Sequence, residues 1–120
     1  MESMELRLKR AYEEPAADDG RRILVDRLWP RGVKKADARI DFWAREVSPS
    51  TDLRKRFRHD SALWDEFRRL YFRELDANPE GLAKLRDALA DASRATLVYA
   101  ARDEHHNNAA ALAEYLNACR

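Results

Sequence analysis

Residues 23–32 read Ile23-Leu24-Val25-Asp26-Arg27-Leu28-Trp29-Pro30-Arg31-Gly32. Three consecutive aliphatic residues read as a buried strand, and the chain then turns abruptly into a charged loop closed by proline and glycine. Pro30 fixes its own φ and biases Trp29 toward an extended conformation, while Gly32 is free to take φ > 0. The loop is therefore rigid at its centre and sharply turned at its end. An acid, two arginines and an indole on a rigid loop mark a place to look for a ligand. The plain structural reading of the same residues is that Trp29 and Pro30 cover the sheet edge and that Arg27 pairs with Asp26 or another acid.

Upstream, residues 4–10 alternate, with Leu6 and Leu8 on one side and Arg7 and Lys9 on the other, which predicts an edge or near-edge strand with one solvated face. Residues 13–20 form a polar turn region. Downstream, residues 34–38 suggest a short helical turn, and residues 42–47 read as either a strand or a helical turn, because Phe42, Trp43 and Val47 fit neither period. Ser50 is placed to cap a short basic helix running to about Arg58, with Asp52 complementing its dipole. The next helix starts at Asp60 or Ser61 and carries Leu63, Trp64, Phe67, Leu70, Tyr71 and Leu75 at helical spacing. Asn78, Pro79 and Glu80 then start a helix with Leu82, Leu85 and Leu89 on one face, ending near Ala92. Residues 96–101 are a second apolar strand, residues 102–108 a polar loop, and a last helix presents Ala109, Leu112, Ala113 and Leu116 inward. Strands separated by helices predict an α/β fold with a small, mostly parallel sheet flanked by helices, residues 1–120 forming a single domain.

In a parallel sheet, ligands bind outside the carboxyl ends of the strands, and both distinctive loops sit at such ends. If residues 23–26 and 97–101 are parallel and close, Asp26, Arg27, Arg31, Arg102, Asp103, Asn107 and Asn108 converge on one cleft. Arginine forks match carboxylate or phosphate oxygens, and the two asparagines just before a helix add a helix N-terminus, so the implied ligand is an anion. The alternative is a network in which Arg27-Asp26 and Arg102-Asp103 only lock the loops. His106 is an acid-base candidate, since histidine titrates near neutrality. The pair His105-His106 makes a poor metal site, with no third histidine or thiolate nearby; His59 lies in another segment. Ser48, Ser50 and Thr51 lack the glycines of a nucleophile elbow. Neither GxGxxG nor a phosphate-loop lysine motif occurs in a chain with three glycines, which argues against the usual dinucleotide and NTP folds.

Of 120 residues, 45% are hydrophobic and 38% charged, which excludes a disordered chain and demands a densely ionic surface. Lys+Arg 23 against Asp+Glu 22 leaves a net charge of +1, so any attraction for nucleic acid or phosphate rests on local clustering. Residues 21–39 hold seven cations (Arg21, Arg22, Arg27, Arg31, Lys34, Lys35, Arg39) against Asp26 and Asp37, and Arg54, Lys55, Arg56 and Arg58 form a second run, read as a solvated helix face. The lone Cys119 forms no intrachain disulfide and no multi-cysteine metal site, so a reducing compartment is expected. With no charged-then-apolar leader and no apolar run of bilayer length, the expectation is a cytoplasmic protein without a membrane partner.

Residues 24–32, Pro49-Ser50 followed by Leu53-Arg54, then Trp64, Phe67, Tyr71 and Glu74-Leu75, then residues 99–103 with His106-Asn107-Asn108-Ala109, resemble the YeaO-like bacterial proteins, a group classed as a domain of unknown function. The match covers nearly the whole chain, and the Asp-Arg-Leu-Trp-Pro-Arg-Gly string is long and unusual. The resemblance implies a small, cytoplasmic, single-domain α/β protein whose motif loops are its functional surface; it implies no particular reaction. Many relatives carry histidine where this chain has Asn108.

Together these readings predict a soluble protein that binds an anionic, phosphate-containing small molecule and, in the fuller version, acts on it. Arg27, Arg31 and Arg102 would clamp the anion, Trp29 would be a stacking wall, Asn107 and Asn108 would add contacts, and Asp26, Asp103 or His106 would move protons. No metal and no cofactor are expected. The competing readings are a nucleic-acid-associated module using the two basic runs, and a structural or interaction protein in which the motifs only staple the fold.

Overall fold

The computed structural model describes residues 4–58 and 60–118, so His59 and Cys119 lie outside the described residues. Four strands, β1 (Glu5–Arg10), β2 (Arg21–Leu24), β3 (Phe42–Trp43) and β4 (Arg94–Tyr99), form one sheet in the order β1-β4-β2-β3, with every neighbouring pair parallel. Around it lie α1 (Lys35–Ala38), α2 (Thr51–Phe57), α3 (Trp64–Asp76), α4 (Pro79–Leu89) and α5 (Asn108–Ala118). The strand that reads as a continuous apolar run, β4, is one of the two inner strands, with β2, as a strand buried on both faces must be. The alternating β1 is an edge strand, as its period predicts.

The register places Leu8 and Ile23 beside Leu97, and Lys9 and Leu24 beside Val98. Ile23, Ala95, Leu97 and Tyr99 thus share one face, which packs on Leu53 and Phe57 of α2, Phe67, Tyr71 and Leu75 of α3, Leu82, Leu85 and Leu89 of α4, and Leu112 and Leu116 of α5. These helical residues recur at i, i+4 or i+3, which is why each helix forms where the pattern says. Starts are capped by side chains: Ser50 Oγ accepts from the Leu53 amide at 3.2 Å, and Asn78 Oδ1 from the Gly81 amide at 3.0 Å. Arg58, at φ 50°, ends α2 in the left-handed region.

Several boundaries differ from the hydrophobic pattern, for identifiable reasons. β2 covers 21–24 and not 23–26, because Arg21 and Arg22 pair with Ala95 and Thr96 although they are charged. Their heads are used internally: Arg21 donates to the Ala88 and Ala90 carbonyls, both at 2.7 Å, and Arg22 to Asp19 at 2.7 Å and the Ala38 carbonyl at 3.0 Å. β4 likewise begins at Arg94, which pairs with Glu5 at 2.9 Å, and ends at Tyr99. The ambiguous 42–47 segment is both things in turn, the two-residue β3 and then a 3-10 turn at Arg45–Val47. A 3-10 turn at Ser61–Leu63 precedes α3, and α4 stops at Leu89.

Among the described residues, the cluster on the second face of the sheet is much smaller than the helix-covered one. Ala11, Trp29, Ile40 and Trp43 pack there on Leu24 and Val98, with Trp29 and Trp43 edge to face at 5.4 Å. Beside them lies a buried ion cluster. The Asp19 carboxylate accepts from Lys9 Nζ at 3.1 Å, Arg22 Nη1 at 2.7 Å and the Ala16 amide at 2.9 Å. Burial alone would raise its pKa, but the Ala16 amide, Lys9 and Arg22 outweigh that and hold it below the usual aspartate value. A depressed carboxylate contributes stability that is full above its unfolded pKa and is lost as pH falls through the folded one. Asp19→Asn should therefore cost about 3–5 kcal/mol at neutral pH, the usual result of leaving buried partners uncompensated. Urea denaturation should show this gap shrinking once the pH drops below about 4, the ordinary aspartate range.

Candidate functional site

Because β2 and β4 are parallel neighbours, the loops that leave them emerge at the same edge of the sheet. Asp26 fastens the two loops together. Its Oδ2 accepts from the Ala100 amide at 2.8 Å and its Oδ1 from Asn108 Nδ2 at 2.9 Å, while its carbonyl accepts from the Trp43 indole at 2.7 Å. The Asn108 amide also reaches the Val25 carbonyl at 2.6 Å. From the far side Arg10 donates to the carbonyls of Ala100 at 3.2 Å and Ala101 at 2.9 Å.

The next residue, Arg27, fastens this loop to a third segment. Its Nε donates to the Pro49 carbonyl at 2.9 Å and its Nη2 to the Ser48 carbonyl at 2.8 Å, two of the five donors a guanidinium owns. The same segment is held from α3: the buried Tyr71 hydroxyl donates to the Val47 carbonyl at 2.6 Å, and Glu74 accepts from the Ser50 amide at 2.9 Å and from its hydroxyl. Burial pushes the Tyr71 phenol far above its ordinary pKa, so it stays a donor. Residues 47–50 are thus fixed by three side chains just where α2 begins.

Between the Asp26 loop, α2 and the start of α5 lies a cleft of about 580 Å³. Of the residues singled out from sequence, Asp26, Arg27, Trp29, Arg31, Asn107 and Asn108 line it. Their roles differ. Asp26 and Arg27 are the fasteners just described. Trp29 donates its indole N–H to the Val33 carbonyl at 2.6 Å and rests on Trp43. Asn107, almost fully buried, caps α5, its Oδ1 accepting from the Ala110 amide at 2.8 Å and its Nδ2 donating to the Asp103 carbonyl at 2.8 Å. Arg31 is exposed; its carbonyl accepts from the Tyr12 hydroxyl at 3.1 Å, while its guanidinium has no hydrogen bond or ion pair among the described residues. Gly32, at φ 82°, makes the sharp turn that its position predicts.

Arg102, Asp103 and His106 are not among the lining residues. Arg102 is exposed. Asp103 turns back on its own loop, accepting from the His106 and His105 amides at 3.0 and 2.9 Å, and these amides hold its carboxyl below the usual range. His106 lies against Trp64, ring centres 5.1 Å apart. Ser48 is buried and donates to the Ala44 carbonyl at 2.9 Å, and Ser50 serves as the cap of α2. Among the described residues there is no group of three or more metal-ligating side chains.

Two cations that the sequence assigned to a solvated helix face, Arg54 and Lys55, line the cleft. Neither side chain has a hydrogen bond or ion pair among the described residues. The spacing marks only a shared wet face: Thr51, Arg54 and Lys55 stand at i, i+3 and i+4, away from the buried Leu53, and nothing local shows that this face borders a cleft. Tyr12 also joins the lining, and nothing in the local pattern marks it.

A family model described as "Inactive DUF488-N3 subclade" matches residues 5–119. The chain is 42% identical over 113 residues to the uncharacterized protein YeaO of Escherichia coli (strain K12), covering 94% of this chain and 97% of that one. It is also 42% identical over 112 residues, 93% of each chain, to the uncharacterized proteins Rv3073c of Mycobacterium tuberculosis (strain ATCC 25618 / H37Rv) and Mb3100c of Mycobacterium bovis (strain ATCC BAA-935 / AF2122/97). No solved structure matches the chain. With the YeaO-like motifs gathered around one sheet edge and the family match running from end to end, the chain belongs to the DUF488 family, in the branch described as the inactive DUF488-N3 subclade.

Proposed function

We propose that the protein binds a small anionic, phosphate-bearing molecule in the cleft and does not transform it. The observation that carries this reading is the imbalance of committed and uncommitted charge. Four cations line the cleft, Arg27, Arg31, Arg54 and Lys55, and three of them have no internal partner among the described residues. The carboxylate in the same lining, Asp26, is already fastened to the Ala100 amide and Asn108. Cations held around a concavity with little opposing charge favour an anion, and a volume of about 580 Å³ falls in the range of about 300–1,000 Å³ that small-molecule sites occupy.

Binding without chemistry fits the placement of the proton-transfer candidates. Asp26 has both oxygens engaged, and Asp103 is a weakened base outside the lining. His106 faces Trp64. The word "inactive" in the family's description supports the same reading. The nucleic-acid alternative draws less support, because Arg21, Arg22 and Arg27 of the first basic run are occupied with the protein's own carbonyls and Asp19.

Two outcomes are expected in a thermal-shift and calorimetric titration against phosphorylated metabolites. Arg54→Ala and Arg31→Ala should leave the ligand-free Tm nearly unchanged, since each is exposed, and weaken binding by roughly 10-fold or more, the loss of one charge-assisted hydrogen bond. Arg102→Ala should alter neither.

Arg27→Ala should do the reverse in the first respect and lower the ligand-free stability by about 1–3 kcal/mol, because the Ser48 and Pro49 carbonyls lose their donors. Arg27→Lys should recover only part of this, as an ammonium lacks the fork that spans two carbonyls. Equal Tm losses for Arg27→Ala and Arg54→Ala would contradict the division between fasteners and ligand-facing cations.

A further inference from the structure

We infer that the ligand is a phosphorylated nucleoside, its phosphate held by Arg31, Arg54 and Lys55 and its base laid against Tyr12 and Leu28; this rests on the anion-binding reading above. Three large hydrophobic side chains stand exposed among the described residues, Leu8, Tyr12 and Leu28, and two of the three line the cleft. Tyr12 is 51% and Leu28 58% exposed, so the cleft rim keeps apolar surface in water that the ligand-free fold leaves uncovered. Isolated exposed hydrophobics need no explanation, but two on the rim of one charged concavity do.

The Tyr12 ring is also the best prepared for stacking. Its hydroxyl is tied to the Arg31 carbonyl at 3.1 Å and the Arg10 guanidinium stands over the ring, 5.2 Å from its centre, so the plane of the ring is fixed before any ligand arrives. The Arg10 guanidinium is in turn anchored on Ala100 and Ala101. A bare phosphate would occupy a small part of about 580 Å³ and leave Tyr12 and Leu28 wet. A sugar phosphate would fill more of the space and present hydroxyls to an apolar rim. A phosphorylated nucleoside supplies what both parts of the site lack, an anion at one end and a flat, weakly polar ring at the other. The tie between the Tyr12 hydroxyl and the Arg31 carbonyl links the stacking surface to the residue that carries one of the phosphate-holding cations.

The same chemistry is available from a free nucleotide and from the phosphorylated end of a single strand, and the two are separable by experiment. Isothermal titration of the full chain should compare inorganic phosphate, ribose 5-phosphate, the four nucleoside monophosphates, and a short single strand with and without a 5′-phosphate. At least one monophosphate is expected to bind about tenfold or more tightly than ribose 5-phosphate, the gain one base-aromatic stack provides. Tyr12→Ala should erase that difference, and Tyr12→Phe, which keeps the ring and loses the tie to Arg31, should retain most of it. A monophosphate outbinding the strand assigns the site to free nucleotides; a strand that binds more tightly only when 5′-phosphorylated, and loses that preference with Tyr12→Ala, assigns it to strand ends. Equal affinity for ribose 5-phosphate and every monophosphate would overturn the nucleoside inference and leave anion binding intact. No binding by any phosphate compound would overturn both, and strand binding indifferent to the 5′-phosphate and to Tyr12→Ala would overturn the nucleoside inference in favour of a backbone-tracking surface.

Discussion

The carboxylate of Asp26 joins the two loops that leave the paired strands β2 and β4. β2 and β4 deliver their following loops to one sheet edge, but two loops at one edge are still free to part. Asp26 closes that freedom by accepting from the Ala100 backbone and from the side chain at the head of α5. Its neighbour Arg27 extends the tie to residues 48–49 and so to the start of α2. One dipeptide therefore locks three segments, and the cleft is the space between them. Charge-assisted bonds of this kind are each worth about 1.5–3 kcal/mol, enough to hold a loop in one conformation against the entropy of its ordering.

This arrangement divides the arginines by work. Arg10, Arg21, Arg22 and Arg27 donate to backbone carbonyls and build the scaffold, while Arg31 and Arg54, with Lys55, face the cleft without partners among the described residues. A chain with nearly balanced charge thereby presents a locally cationic concavity. The unusual motif Asp-Arg-Leu-Trp-Pro-Arg-Gly is mostly scaffold: Asp26 and Arg27 fasten, Trp29 covers the second sheet face, Pro30 is buried and Gly32 turns, which leaves Leu28 and Arg31 as its exposed residues in the cleft lining.

The architecture was legible because its signals are periodic. The alternation in β1, the apolar run of β4 and the i, i+4 spacing of Phe67, Tyr71 and Leu75 each state which face is buried, and the strand-helix order implies parallel pairing. Arg21 and Arg22 were illegible as strand residues because hydrophobicity does not register guanidinium donors taken up by distant carbonyls or by Asp19. The neighbourhood of the candidate cleft was legible, because both loops follow parallel strands, and its lining less so. Arg27 was expected to hold an anion or pair with an acid, and its observed partners are carbonyls 21 and 22 residues away. Arg54 and Lys55 look like ordinary solvated charges until the fold brings the Asp26 loop across from them. Local pattern encodes which side of a helix is wet, but not what stands on the other side of the water.

The uncommitted cations around this cleft, Arg31, Arg54 and Lys55, are proposed to form one anion site. A crystal structure determined from crystals soaked in selenate or phosphate tests it most directly, since the anion's position is read without reference to any function. The expected result is an anion inside the cleft in contact with at least two of Arg31, Arg54 and Lys55, with the Asp26 and Arg27 bonds unchanged. Anions found only elsewhere, at Arg102 or along the outer faces of the helices, with the cleft holding water alone, would contradict it.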